Sequence, residues 1–116
     1  MATKITFIGA GNMASSLAGG LIAKGFEPTA LTVSDISDQQ LQAARSNLGV
    51  ATSRDNLTAC AKADVIVIAV KPQVIAEVMP PLRAIVAQRK SLVISIVAGT
   101  PLSRFAQGRE ITLSEG

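Results

Sequence analysis

The sequence predicts an α/β fold in which a doubly wound, mainly parallel sheet carries helices on both faces. Three observations predict it. Short Val/Ile-rich runs recur at residues 5–8, 31–33, 65–70 and 92–97, and the two later runs are almost continuously apolar. Strands buried on both sides look like this, and such strands belong to parallel sheets. The segments between the runs repeat apolar residues at helical spacing, and the joints carry the residues that start and stop helices.

Taken in order, the first strand, 5–8, opens directly into Gly9-Ala10-Gly11. The helix after it presents Met13, Leu17, Leu21 and Ile22 on one face. Gly25 fits its C-terminus, with Pro28 shortly beyond. The second strand, 31–33, leads to Ser37, placed as an N-cap with Gln40 three residues on. The helix it starts turns Leu41, Ala44 and Leu48 to one side and closes at Gly49. A short strand follows, and Ser53 or Asp55 caps a short third helix. After the run at 65–70, Ile75, Val78, Met79, Leu82, Ile85 and Val86 trace a longer helix that Pro80-Pro81 is expected to kink or split. Beyond 92–97, Thr100-Pro101 sets a cap before a proline at the first helical position, and Ile111-Thr112-Leu113 starts a sixth strand. Right-handed crossovers wind this order into a doubly wound sheet.

The 116 residues suit one domain spanning 1–116. Hydrophobic residues make up 48% against 16% charged, which supports a sizeable core rather than a disordered chain. That core is aliphatic, since there are three Phe and no Trp or Tyr. So few rings argue against a stacking platform for single-stranded nucleic acid. The net charge of +3 is scattered without a Lys/Arg run, which argues against a duplex-binding face. With no His and one Cys, the chain excludes an internal disulfide, a zinc site built on His or paired Cys, and a His-dependent triad. Cys60 reads as a small buried apolar residue, and the composition as cytoplasmic. No run is long enough to span a membrane or serve as a signal segment.

Gly9-Ala10-Gly11-Asn12-Met13-Ala14 lies between the first strand and the first helix and has the form G-x-G-x-x-A. Gly9 permits the tight turn, Gly11 lets a pyrophosphate approach the backbone, and Ala14 lets helix and strand pack closely. The free N–H groups at the helix start then hold phosphates, helped by the helix dipole. An acidic residue, Asp35, closes the second strand, which is the context a Rossmann-type dinucleotide site requires. Asp35 is placed to accept from ribose hydroxyls, favouring NAD; Ser34 beside it is placed for a 2′-phosphate, favouring NADP. Asp35 and Ser37 can equally serve only to cap the next helix, and no Arg directly follows Asp35. Ala69-Val70-Lys71-Pro72 ends one strand and residues 95–99 end the next, at the carboxyl edge where ligands bind in open α/β sheets. Lys71 there can meet phosphate or ribose or stand as a solvated loop residue, and the small residues at 95–99 suit either a nicotinamide ring or tight packing.

These motifs resemble those of the pyrroline-5-carboxylate reductases. Phe7-Ile8-Gly9-Ala10-Gly11-Asn12-Met13-Ala14 with Leu17, Gly20 and Leu21 is similar to that family's N-terminus. Ala69-Val70-Lys71-Pro72-Gln73 resembles its second signature and Ser95-Ile96-Val97-Ala98-Gly99 its third, so the resemblance covers about residues 3–111. The family reduces the C=N bond of 1-pyrroline-5-carboxylate to L-proline with NADPH or NADH. The resemblance implies NADP(H), with NAD(H) as the alternative. It also implies that Ile8, Gly9, Ala10, Gly11, Asn12 and Met13 hold the pyrophosphate. Ser34 would lie near the adenosine 2′ position, and Asn56 would contact the cofactor. Ala69, Val70, Lys71 and Pro72 would line its cleft, and Val97 and Ala98 would meet the nicotinamide end.

The resemblance stops at Arg109-Glu110-Ile111, where the family continues into an Arg-x-Met-Pro-Asn-Thr-Pro segment and a helical dimerisation and substrate domain. The expectation is therefore a cofactor domain without catalytic residues of its own, whose substrate would be met only in a full-length enzyme. It would be prone to self-association through apolar surface near residues 100–116. Two other readings stand beside it. One is a non-catalytic nucleotide-binding or sensor module. The other is the cofactor domain of a reductase for 3-hydroxy acids or deazaflavins, against which the Val-Lys-Pro-Gln run speaks.

Overall fold

The computed structural model describes residues 3–70, 72–89, 91–95 and 110–112. β1 (Ile5–Ile8) passes through the glycine turn into α1 (Asn12–Ala23). A single 3-10 turn at Pro28–Ala30 leads into β2 (Leu31–Ser34), followed by α2 (Asp38–Leu48), β3 (Ala51–Ser53) and α3 (Asn56–Cys60). β4 (Val65–Ile68), α4 (Pro72–Arg89), β5 (Leu92–Ser95) and β6 (Glu110–Thr112) complete the order. The strands form one sheet, β3-β2-β1-β4-β5-β6, and every neighbouring pair is parallel. The doubly wound, Rossmann-type fold predicted from the apolar runs is thus the fold of the chain. The order reverses between β1 and β4, which is where such sheets open a ligand crevice.

The alternation of side chains along each strand separates two cores. Ile5, Phe7, Leu31, Val33 and Val67 pack with Ala14 and Ala18 of α1 and with Leu41 and Ala44 of α2. Ile8, Ile66, Ile68 and Val93 pack on the opposite face with Cys60 of α3 and with Leu82 and Val86 of α4. Ala14 and Ala18 stand one turn apart and are fully buried, so α1 lies close on β1, as the small residue in the glycine motif implies. Thr6 is buried among apolar neighbours, and its hydroxyl is satisfied by donating to the Ala59 carbonyl at 2.7 Å.

The helix ends follow local chemistry. α1 stops in a Schellman arrangement, with Phe26 N–H donating to the Leu21 carbonyl and Gly25 N–H to that of Ile22, both at 3.0 Å. Gly25 there has φ +108°, a conformation that needs no Cβ. Ser37 caps α2 by accepting from Gln40 N, and Asp55 rather than Ser53 caps α3. Three boundaries differ from the sequence expectation. β2 includes Ser34, β4 ends at Ile68, and β6 begins one residue earlier, at Glu110. One expectation fails: α4 is not split at Pro80-Pro81 but runs through both as one helix. Both prolines lie on its exposed side, where water can replace the lost hydrogen bonds, while Leu82 and Val86 keep the helix on the core. The helix expected after Thr100-Pro101 and the apolar surface expected near 100–116 lie outside the described residues, apart from β6.

No helix among the described residues is long and apolar enough to cross a membrane. Cys60 is the free, buried thiol the sequence suggests, and burial pushes its pKa up to about 12. The nearby Asp55 charge adds a smaller push in the same direction. A thiolate is the reactive form, so Cys60 should resist a maleimide at neutral pH in the folded protein and react promptly in denaturant. Mass spectrometry after timed labelling checks this; rapid labelling under native conditions would contradict the burial.

Candidate cofactor site

At the carboxyl ends of β1, β2 and β4 the chain leaves a cleft of about 320 Å³. Ile8, Gly9, Ala10, Gly11, Ser34, Asp35, Ile36, Asn56, Ala69, Val70 and Val78 line it. The glycine turn forms its floor. Gly9 N–H donates to the Ser34 carbonyl at 2.7 Å, and Ala69 N–H donates to the Ile8 carbonyl at 2.9 Å, so the turn is clamped between both neighbouring strand ends. Gly9 has φ +106°, and a Cβ built there would stand 2.6 Å from the Ala69 carbonyl oxygen. Glycine is therefore required twice over, by backbone conformation and by the approach of the segment after β4.

Gly11 is different. Its φ is −79°, and a Cβ there would meet nothing within 4 Å. The protein leaves that space open at the N-terminus of α1. Gly11 offers no side chain to cap the helix, and the first turn holds no acidic residue. The α1 amides are thus presented with their dipole uncompensated, the arrangement that binds anions.

The far side of the cleft is built by the β2–α2 and β3–α3 turns. Asp35 Oδ2 accepts from Ala10 N–H at 2.9 Å, and Oδ1 accepts from Ser37 N–H at 2.9 Å. Its carboxylate therefore ties the glycine turn to the start of α2. The Ser34 hydroxyl is buried and donates to Asn56 Oδ1 at 2.5 Å, which leaves the Asn56 amide its own protons to offer. Asn56 is set in place by Asp55, whose carboxylate accepts from Leu57 N–H at 3.1 Å and from the Thr58 hydroxyl at 2.7 Å. Ile36 stands at the rim, 80% exposed.

Of the residues singled out from sequence, Ile8, Gly9, Ala10, Gly11, Ser34, Asp35, Asn56, Ala69 and Val70 converge on this one cleft. Asn12 and Met13 form the first turn of α1, and Pro72 is the first residue of α4. Lys71, Val97 and Ala98 lie outside the described residues. Sequence reading passed over Ile36 and Val78, which also line the cleft. An apolar residue directly after the acidic end of β2 was the available signal for Ile36, whereas Val78 was legible only as part of a helix face.

The fold and the cleft together define a domain of the dinucleotide-binding class, and comparison with known proteins agrees. The chain belongs to the family described as NADP oxidoreductase, coenzyme F420-dependent, which matches residues 4–99. Its relatives narrow the likeness to pyrroline-5-carboxylate reductases, as the three motifs implied. The enzyme of that name from Vibrio alginolyticus is 44% identical over 101 residues, covering 87% of this chain and 37% of its own length. A solved pyrroline-5-carboxylate reductase from Coxiella burnetii superposes with a TM-score of 0.81 at 41% identity, over 85% of this chain and 37% of the other. The Plasmodium falciparum enzyme, solved with NADP bound, gives 0.74 at 25% identity over 88% and 36%. The chain thus spans little more than a third of these relatives, and the likeness is to their cofactor-binding part.

Two outcomes follow from the geometry. Gly9→Ala should destabilise the fold by about 1–3 kcal/mol from backbone strain alone, read from urea unfolding midpoints, because neither the Ala69 carbonyl nor φ can yield freely. Asp55 is held below the usual carboxylate range, first by the Thr58 hydroxyl and then by the Leu57 amide. Its cap is therefore complete above the ordinary Asp pKa of about 3.9 and is lost as pH falls through the lower folded value. Asp55→Asn should flatten the pH dependence of stability below about pH 4 in a urea series; an unchanged slope would show that the cap does not titrate.

Proposed function

We propose that this chain is the part of a pyrroline-5-carboxylate reductase that holds NADP(H), with NAD(H) as the weaker alternative. The observation that carries the reading is the uncapped start of α1 beneath the open space at Gly11, set at the point where the sheet order reverses. The relatives named above, one of them solved with NADP, support it.

On this reading the pyrophosphate lies on the segment from Ile8 to Met13. The adenosine ribose lies against Ser34, Asp35 and Asn56. Ala69, Val70, Lys71 and Pro72 border the path toward the nicotinamide, which Val97 and Ala98 meet. When bound, the reduced nicotinamide supplies a hydride for the C=N carbon of the pyrroline ring. The chain's own contribution is to bind the phosphates, orient the ring and present one of its faces to the substrate. The chain matches 37% of the length of the Vibrio alginolyticus enzyme, and what is expected of these 116 residues is the binding of cofactor. Pairing through the helical part of such an enzyme, and a cytoplasmic location consistent with the buried thiol of Cys60, belong to the same reading.

Titration of the chain with NADPH and NADH, followed by nicotinamide fluorescence, tests it. Gly11→Ala separates binding from folding. A methyl there meets no protein atom, so stability should change by less than about 0.5 kcal/mol. It would occupy the space reserved for phosphate, so affinity should fall at least about tenfold. Unaltered affinity in Gly11→Ala would sink the reading.

A further inference from the structure

Arg54 occupies a position that neither the fold nor the glycine motif demands. Asp35 N–H donates to the Ser53 carbonyl at 3.1 Å, so the ends of β2 and β3 remain zipped together at the cleft and residue 54 follows beside Ile36. The Arg54 guanidinium reaches back over this junction. Its Nη2 donates to the Ile36 carbonyl at 3.2 Å, and its Nε stands 3.4 Å from Asp38 Oδ1. Among the described residues nothing accepts from Nη1, which has two protons to give. Ile36 and Asn56, on either side, both line the cleft.

We propose that Arg54 reads the 2′-phosphate of the adenosine ribose and makes this site selective for the phosphorylated dinucleotide. The inference rests on the cofactor reading above and adds a specificity residue to it. Selectivity for the unphosphorylated form requires an acidic acceptor for the ribose hydroxyls. Asp35 is the acid at that position, and the Ala10 and Ser37 amides fix its carboxylate between the glycine turn and the start of α2. The Ser34 hydroxyl has given its proton to Asn56. What remains is the Asn56 amide in the cleft, with protons to offer, and just outside its lining a cation held on the Ile36 carbonyl with donors to spare, which together suit a phosphate. The charge facing Arg54 is Asp38, which orients it. The ion pair with Asp38 is exposed, at 64% and 77%, and such pairs contribute little, so the guanidinium can turn to a phosphate at small cost. The exposed Ile36 side chain beside it is the apolar surface that an adenine ring would cover.

The test uses the full 116-residue chain with adenosine 2′,5′-bisphosphate and AMP, and with NADPH and NADH. The wild type should prefer the 2′-phosphorylated member of each pair. Arg54→Gln should weaken those members by about tenfold to a hundredfold while leaving AMP and NADH within about twofold. Arg54→Lys, which keeps the charge and the fold of the rim, should retain part of the preference. An equal loss for both members of a pair, or a wild type that does not distinguish them, overturns the role of Arg54 and leaves the cofactor reading standing. A wild type that binds none of the four ligands overturns both.

Discussion

Everything in this cleft depends on the contact between two pieces of main chain. The turn after β1 and the segment after β4 approach so closely at Gly9 and Ala69 that no side chain fits between them. That contact sits where the sheet order reverses, so it holds together the two halves of a doubly wound sheet. It also aims α1. Because Gly9 turns sharply and Ala14 and Ala18 let the helix lie close on β1, the α1 amides point over the carboxyl edge of the sheet. The two glycines of the motif therefore do different work. Gly9 satisfies a constraint inside the protein, and Gly11 keeps a space empty outside it.

Much of this was legible in the chain because the physics is local. Val/Ile runs mark strands buried on both faces, and the helix termini at Ser37 and Gly25 declare themselves through short-range hydrogen bonding. The glycine turn was legible because its spacing and its strand-to-helix setting coincide. The remainder was hidden because it depends on residues far apart in sequence. The need for glycine at position 9 comes from Ala69, and the Asp35 carboxylate is engaged by Ala10. Whether two prolines break a helix depends on which side of it faces water, and periodicity alone did not settle that for Pro80 and Pro81. Arg54 has no pattern around it that points to the cleft; its place follows from the pairing of β2 with β3.

Asp35 shows how one residue can satisfy a motif while serving a different end. An acid at the close of the second strand is the expected partner of a ribose. Here it is first a strut, joining the glycine turn to the start of α2. A carboxylate near an anion site would ordinarily oppose phosphate binding. Hydrogen bonds from two backbone amides hold that charge in one place, as a fixed part of the frame. Asn56, from the β3–α3 turn, then lines the cleft beyond it.

The sheet also acts as a wall. Among the described residues the clustered apolar side chains of the core fall into two groups with the strands between them, one packed with α1 and α2 and the other with α3 and α4. Thermodynamic coupling follows contact, so the two compartments respond to change almost as separate bodies. Losses of volume in opposite compartments, at Leu41 and Leu82 for instance, sum nearly independently. Losses within one compartment compound or compensate one another. A chain of this kind can therefore drift in sequence on one face without disturbing what the other face has settled.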